Sequence, residues 1–112
     1  MIQPPNPKLY DLEQRTFLLA KRCREYVASL TKTAQVVEDG RQLIRSSGSI
    51  AANYIEANES LSKKDFVLRV KIAKKEAKES LLWLNLLSAP RELIQETTEV
   101  MKILGAILEK SK

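Results

Sequence analysis

The chain has 112 residues, of which 44% are hydrophobic and 29% charged, with a net charge of +5. This length and balance describe one globular domain around a single core and exclude a disordered tail. The sequence contains no histidine, so the commonest general base and metal ligand is missing.

Residues 1–10 read as an extended N-terminal arm, because three of the four prolines fall between Pro4 and Pro7 and proline denies helical hydrogen bonds. The opening MIQPPNPK lacks the basic and apolar regions of a signal peptide. No apolar run approaches the ~20 residues that span a bilayer. The lone Cys23 cannot close an internal disulfide, so the expected compartment is the cytoplasm, with no membrane contact.

Beyond the arm, glycine and proline are too scarce for many short strands, and four helical segments follow. The first is predicted from Asp11 to Ser29, with Leu12, Leu19, Ala20, Cys23, Tyr26, Val27 and Leu30 on one face. The second runs from Ala34, capped by Thr33, to Asn58, with a stripe through Val36, Leu43, Ile44, Ile50, Ala51, Tyr54 and Ile55. Gly40 and Ser47 lie inside that stripe, where a small residue lets a neighbouring helix approach closely. Gly40 and Gly48 each cost about 1 kcal/mol of helix propensity, so close packing is expected to offset them.

Ser62 caps the third helix, with Asp65 three residues on, and the stripe Phe66, Val70, Ala73, Ala77, Leu81 and Leu84 carries it to Leu87. Ser88-Ala-Pro90 permits a tight reversal into a fourth helix marked by Leu93, Ile94, Val100, Met101, Leu104, Ile107 and Leu108. Short connections make sequential helices antiparallel. The predicted fold is all-α, an antiparallel up-and-down four-helix bundle over residues 11–112.

Two helices carry more than a core stripe. On the third, Leu68, Ile72, Trp83 and Leu86 point away from the core positions. Such a second apolar strip is either wrapped by the first or fourth helix or forms a subunit interface. On the second, Gly48, Ser49 and Ala52 lie opposite the core face, where a solvated helix usually carries long charged residues. Arg45, Ser49, Asn53 and Glu56 are spaced four, four and three apart, and can form a ladder of hydrogen bonds and an ion pair. Both faces point to self-association.

Charge is unevenly placed. From Ser62 to Leu87 there are seven basic residues against three acidic ones, whereas from Ala34 to Ser60 there are two against four. Lys71, Lys74, Lys75 and Lys78 fall within about 100° of one helix face. That strip is either an ordinary solvated face or a surface for phosphates or an acidic protein. Base-specific reading lacks support: there is no zinc-finger spacing, no RNP-type aromatic pattern and no Gly-marked helix-turn-helix.

Catalytic chemistry finds little support. Ser46, Ser47 and Ser49 cluster without a histidine to activate them, and Cys23 sits on a core stripe. Glu56 with Glu59, Glu76 with Glu79, and Glu96 with Glu99 pair at helical spacing. The two-metal bundle pattern, however, requires Glu-x-x-His, so solvated faces or ion pairs account for these glutamates better. No Gly-rich phosphate loop occurs. The chain therefore reads as non-enzymatic, with no cofactor and no metal.

The segment Gln42-Leu-Ile-Arg-Ser-Ser-Gly-Ser-Ile-Ala-Ala-Asn-Tyr-Ile-Glu56 resembles the signature of a bacterial four-helix bundle family. That family is named for proteins encoded in intervening sequences of the large-subunit ribosomal RNA gene. Asp11-Leu-Glu, Ser62-Lys-Lys-Asp-Phe66, Lys74-Lys-Glu-Ala-Lys-Glu-Ser80 and Trp83-Leu84 look like the rest of its pattern. The resemblance implies a ring-shaped homopentamer with a basic surface. Distantly, it also extends to the accessory variability determinants of diversity-generating retroelements, pentamers that bind a reverse transcriptase and nucleic acid. The expected function is thus a homo-oligomeric binding module for RNA, DNA or a reverse-transcriptase-like protein. The alternative is a protein-interaction scaffold that binds no nucleic acid.

Overall fold

The computed structural model describes residues 7–112. Its elements are α1 (Pro7–Ala28), α2 (Ala34–Asn58), α3 (Lys63–Leu86) and α4 (Arg91–Lys110). Among the described residues there is no strand, and no helix is long and apolar enough to cross a membrane. Helix α1 starts at Pro7, so the last four residues of the expected arm are helical. Proline is suited to a first helical position, where its missing N–H has no intrahelical partner to lose. Residues 1–6 of the expected arm lie outside the described residues.

The caps follow the sequence signals. The Thr33 hydroxyl accepts from the Val36 N–H at 3.2 Å, and the Ser62 hydroxyl accepts from the Asp65 N–H at 3.1 Å. Each satisfies one donor that the helix itself cannot. Helix α3 ends in a Schellman-type closure: the Ala89 N–H reaches the Leu84 carbonyl at 2.9 Å and the Ser88 N–H reaches that of Asn85 at 3.1 Å. Ser88 takes the left-handed conformation (φ 56°) that this turn requires. The chain then reverses at Pro90 directly into α4.

Each helix packs against two others, in the cyclic order α1–α2–α3–α4, and among the described residues no close backbone approach joins either diagonal pair. The antiparallel sense shows in the pairings. Glu13 of α1 meets Asn58 at the far end of α2, and Arg45 and Asn53 of α2 meet Glu76 and Arg69 of α3 in reversed order. Leu12, Leu19, Cys23, Leu43, Ile50, Tyr54, Val70, Ala73, Leu84, Val100 and Leu104 fill the interior. Ile55, expected on the α2 stripe, is instead exposed. Its position is about 120° around the helix from the middle of the buried face.

Two glycines test the close-packing argument and give opposite answers. A Cβ at Gly40 would sit 2.7 Å from Cγ1 of Val27 on α1, a β-branched side chain with little freedom to move. At Gly48 the nearest atom is 3.1 Å away and belongs to the Arg24 guanidinium, the end of a flexible chain. Gly40→Ala should therefore lower stability by about 1–2 kcal/mol, overpacking outweighing the gain in helix propensity. Gly48→Ala should raise it by about 0.5–1 kcal/mol. Thermal melts at equal protein concentration check both, and shifts of the same sign would contradict the packing assigned to α1 and α2.

Candidate interaction surfaces

The residues of α2 and α3 singled out by spacing come together along one outward groove between these helices. Arg45 reaches across it. Its Nη1 donates to Glu76 Oε2 at 3.1 Å and its Nη2 to Glu76 Oε1 at 3.4 Å, and a further bond joins it to Glu79. Glu76 is nearly buried, its side chain 11% exposed, while Arg45 remains 51% exposed. The guanidinium thus lies as a lid over the nearly buried carboxylate and supplies it with charge-assisted hydrogen bonds. Bonding to Glu76 in turn holds the Arg45 proton more tightly than usual. Trp83 Nε1 donates to Glu79 Oε2 at 3.3 Å, extending the network along α3.

Further along the groove, Asn53 Nδ2 donates to the Ser49 carbonyl at 2.9 Å and hydroxyl at 3.0 Å, and Asn53 Oδ1 accepts from Arg69 Nη1 at 3.2 Å. The expected ladder along α2 thus has one rung, Ser49–Asn53. Arg45 turns to α3 and not to Glu56, whose exposed side chain joins no ion pair among the described residues. Eleven helical residues separate Arg45 from Glu56, roughly 16 Å along the axis, whereas α3 places two carboxylates within direct reach. Beneath the network, the buried Ser46 and Ser80 hydroxyls bond to each other at 2.7 Å.

Apolar side chains border this polar centre. Leu68 and Leu86 are 52% and 57% exposed, while Ile72 and Trp83 are half-buried. Helix α1 lies diagonally across the bundle from α3, with no close backbone approach to it among the described residues, so it does not wrap this strip, and α4 packs on the other flank. Ala52 is exposed, and what covers Gly48 is the Arg24 side chain, not a helix. Spacing alone missed Arg69, whose role depends on α2, and Leu82, also exposed at 51%. A second exposed apolar pair, Phe17 and Ile55, lies on the outer flank of the α1–α2 seam.

Lys71, Lys74, Lys75 and Lys78 are all exposed, on a face of α3 that adjoins the apolar border of the groove, Lys75 lying about 20° around the helix from Leu68 and Leu86. None of them forms an ion pair among the described residues. A Cβ at Gly105 of α4 would lie 3.4 Å from the Lys74 ammonium. The Lys74 side chain thus leans over α4 at Gly105.

The groups that sequence raised as chemical candidates are engaged elsewhere. Ser46 and Ser47 are buried and bond to backbone carbonyls of their own helix. Burial pushes the Cys23 thiol up to about 11, against the opposing hydrogen bond of Ser47, far from a reactive thiolate. Glu76 and Glu79 hold Arg45, and Glu96 and Glu99 hold Arg15. Among the described residues no group of three His, Cys, Asp or Glu could hold a metal ion.

Residues 9–106 match the family model of the 23S rRNA-intervening sequence protein. The fold is similar to the crystal structure of a protein of unknown function from the S23 ribosomal protein family of Bacteroides thetaiotaomicron. The two share 29% identity over 91% of this chain and 98% of that one, with a TM-score of 0.80. No curated protein matches the chain significantly.

The Arg45–Glu76 pair generates a direct test. Arg45→Ala leaves a nearly buried carboxylate unpaired, and with Arg45 half-exposed the cost should be about 1–2 kcal/mol. Adding Glu76→Gln should recover part of that loss, because the stranded charge is removed. Urea denaturation of the two single variants and the double variant measures the coupling. Strict additivity would show that the pair is decorative.

Proposed function

The chain belongs to the 23S rRNA-intervening sequence protein family, and from that membership we propose that it is a non-enzymatic, self-associating binding module for nucleic acid. The observation that carries this reading is the strip Lys71, Lys74, Lys75 and Lys78: four exposed ammonium groups on one helix face, none neutralised by a carboxylate among the described residues. Unpaired positive charge at this density attracts phosphates, and it stays displayed because the fold uses its acidic residues elsewhere.

Self-association is supported by the adjoining face of α3. A groove with a satisfied polar centre (Arg45, Glu76, Glu79) and an apolar border (Leu68, Ile72, Trp83, Leu86) has the make-up of a subunit interface. A ring of five, the number the family resemblance implies, would repeat the lysine strip around its circumference and multiply weak single contacts into useful avidity.

Two measurements test this. Light scattering should report a mass several times the 12.7 kDa of one chain, and a monomer at micromolar concentration would remove the assembly. Replacing Lys71, Lys74, Lys75 and Lys78 together by Glu should abolish retention on immobilised nucleic acid at low salt, with helical content and assembly mass unchanged. Undiminished retention would leave the protein-scaffold reading in its place.

A further inference from the structure

We propose that copies of this chain meet head to tail, the outer face of α1 in one seated in the α2–α3 groove of the next. This rests on the self-association reading above. The groove does not balance its own charge. Arg45 and Arg69 lie there with four carboxylates, those of Glu56, Asp65, Glu76 and Glu79. Arg45 commits its bonds to Glu76 and Glu79, and Arg69 donates to Asn53. Lys75 stands beyond the apolar border. A two-fold pairing of one groove with another would therefore set negative charge against negative charge. What fits is a surface that combines exposed apolar side chains with unpaired cations.

Helix α1 provides that surface. Phe17 and Leu18 are 58% and 44% exposed, and each is followed four residues on by an exposed cation, Lys21 and Arg22. Exposed Arg24 adds a third charge, while Arg15 is held by Glu96 and the only acid from Gln14 to Glu25 is Glu25 itself. Lys21, Arg22 and Arg24 form no ion pair among the described residues. The other exposed apolar side chains fit less well. Ile55 stands beside Glu56 and Glu59, and Val37 beside Glu38 and Arg41, which pair with each other. Leu61 is alone on the α2–α3 connection, and Leu68, Leu82 and Leu86 belong to α3 itself, at the edge of the groove. Length agrees as well: Gln14 to Glu25 covers about 16 Å of helix, and so does Ile72 to Trp83. Since two different surfaces of one chain meet, the contact repeats from copy to copy, closing into a ring or running on as a filament.

Two double variants of the full chain, both at exposed positions, test this. Phe17→Glu with Leu18→Glu spoils the α1 face, and Leu68→Lys with Leu86→Lys spoils the groove. Each alone should be a monomer of 12.7 kDa by light scattering, with unchanged helical content. Mixed in equal amounts at submillimolar concentration, they should give a complex of two chains and nothing larger, because each retains only one intact face. Lys21→Glu with Arg22→Glu spoils the α1 face through charge alone and takes the place of the first variant if that one loses helix. Either double variant assembling like the unaltered chain overturns the inference and leaves self-association intact, as does a mixture that stays monomeric. An unaltered chain that is itself monomeric overturns both.

Discussion

The seam between α2 and α3 is organised around the nearly buried Glu76 and the arginine that covers it. Glu76 sits on the inward side of α3, its side chain nearly buried. A carboxylate in that position is costly unless a cation and good hydrogen bonds accompany it. Arg45 supplies both from the opposite helix, with two bonds to Glu76 and a further one to Glu79. That pairing joins the middle of α2 to the middle of α3 and is made in the observed register. The Ser46–Ser80 bond one layer deeper requires the same register.

The remaining surface follows from that register. Glu76 and Glu79 bond to Arg45 of α2, and neither forms an ion pair with the lysines among the described residues. One helix thereby presents two unlike faces: a groove with a polar centre and apolar border, and a patch of bare positive charge. The small residues play an equally local part. Gly40 lets α1 close on α2 through Val27, whereas the Lys74 chain passes Gly105 at an ordinary contact distance.

Much of this was legible from periodicity. The helices, the Thr33 and Ser62 caps, the buried stripes and the lysine face all follow from where apolar and polar residues recur along the chain, since each depends only on neighbours within a few turns. Boundaries slipped where local rules conflict. Three early prolines pointed to an extended arm, yet Pro7 opens α1, because proline's objection to helix does not apply at the first position. Ile55 looked like core and is exposed, since an apolar residue at the edge of a stripe is covered only if a neighbouring helix lies on that side.

The groove shows most clearly what could not be read in one dimension. Spacing placed Arg45, Ser49, Asn53 and Glu56 on a common face and linked them along α2, but only the Ser49–Asn53 contact is local enough for spacing to specify. Arg45 to Glu76 spans 31 positions and Arg69 to Asn53 spans 16. Which cation meets which anion at such separations is decided by how the helices turn and slide against one another, and a pattern within one helix carries no information about that. The sequence by itself determined four amphipathic helices, their order, and the side of α3 on which the lysines stand. Only the tertiary structure decided that its glutamates would be met by Arg45 of α2, because which cation reaches them belongs to the packing of α2 on α3.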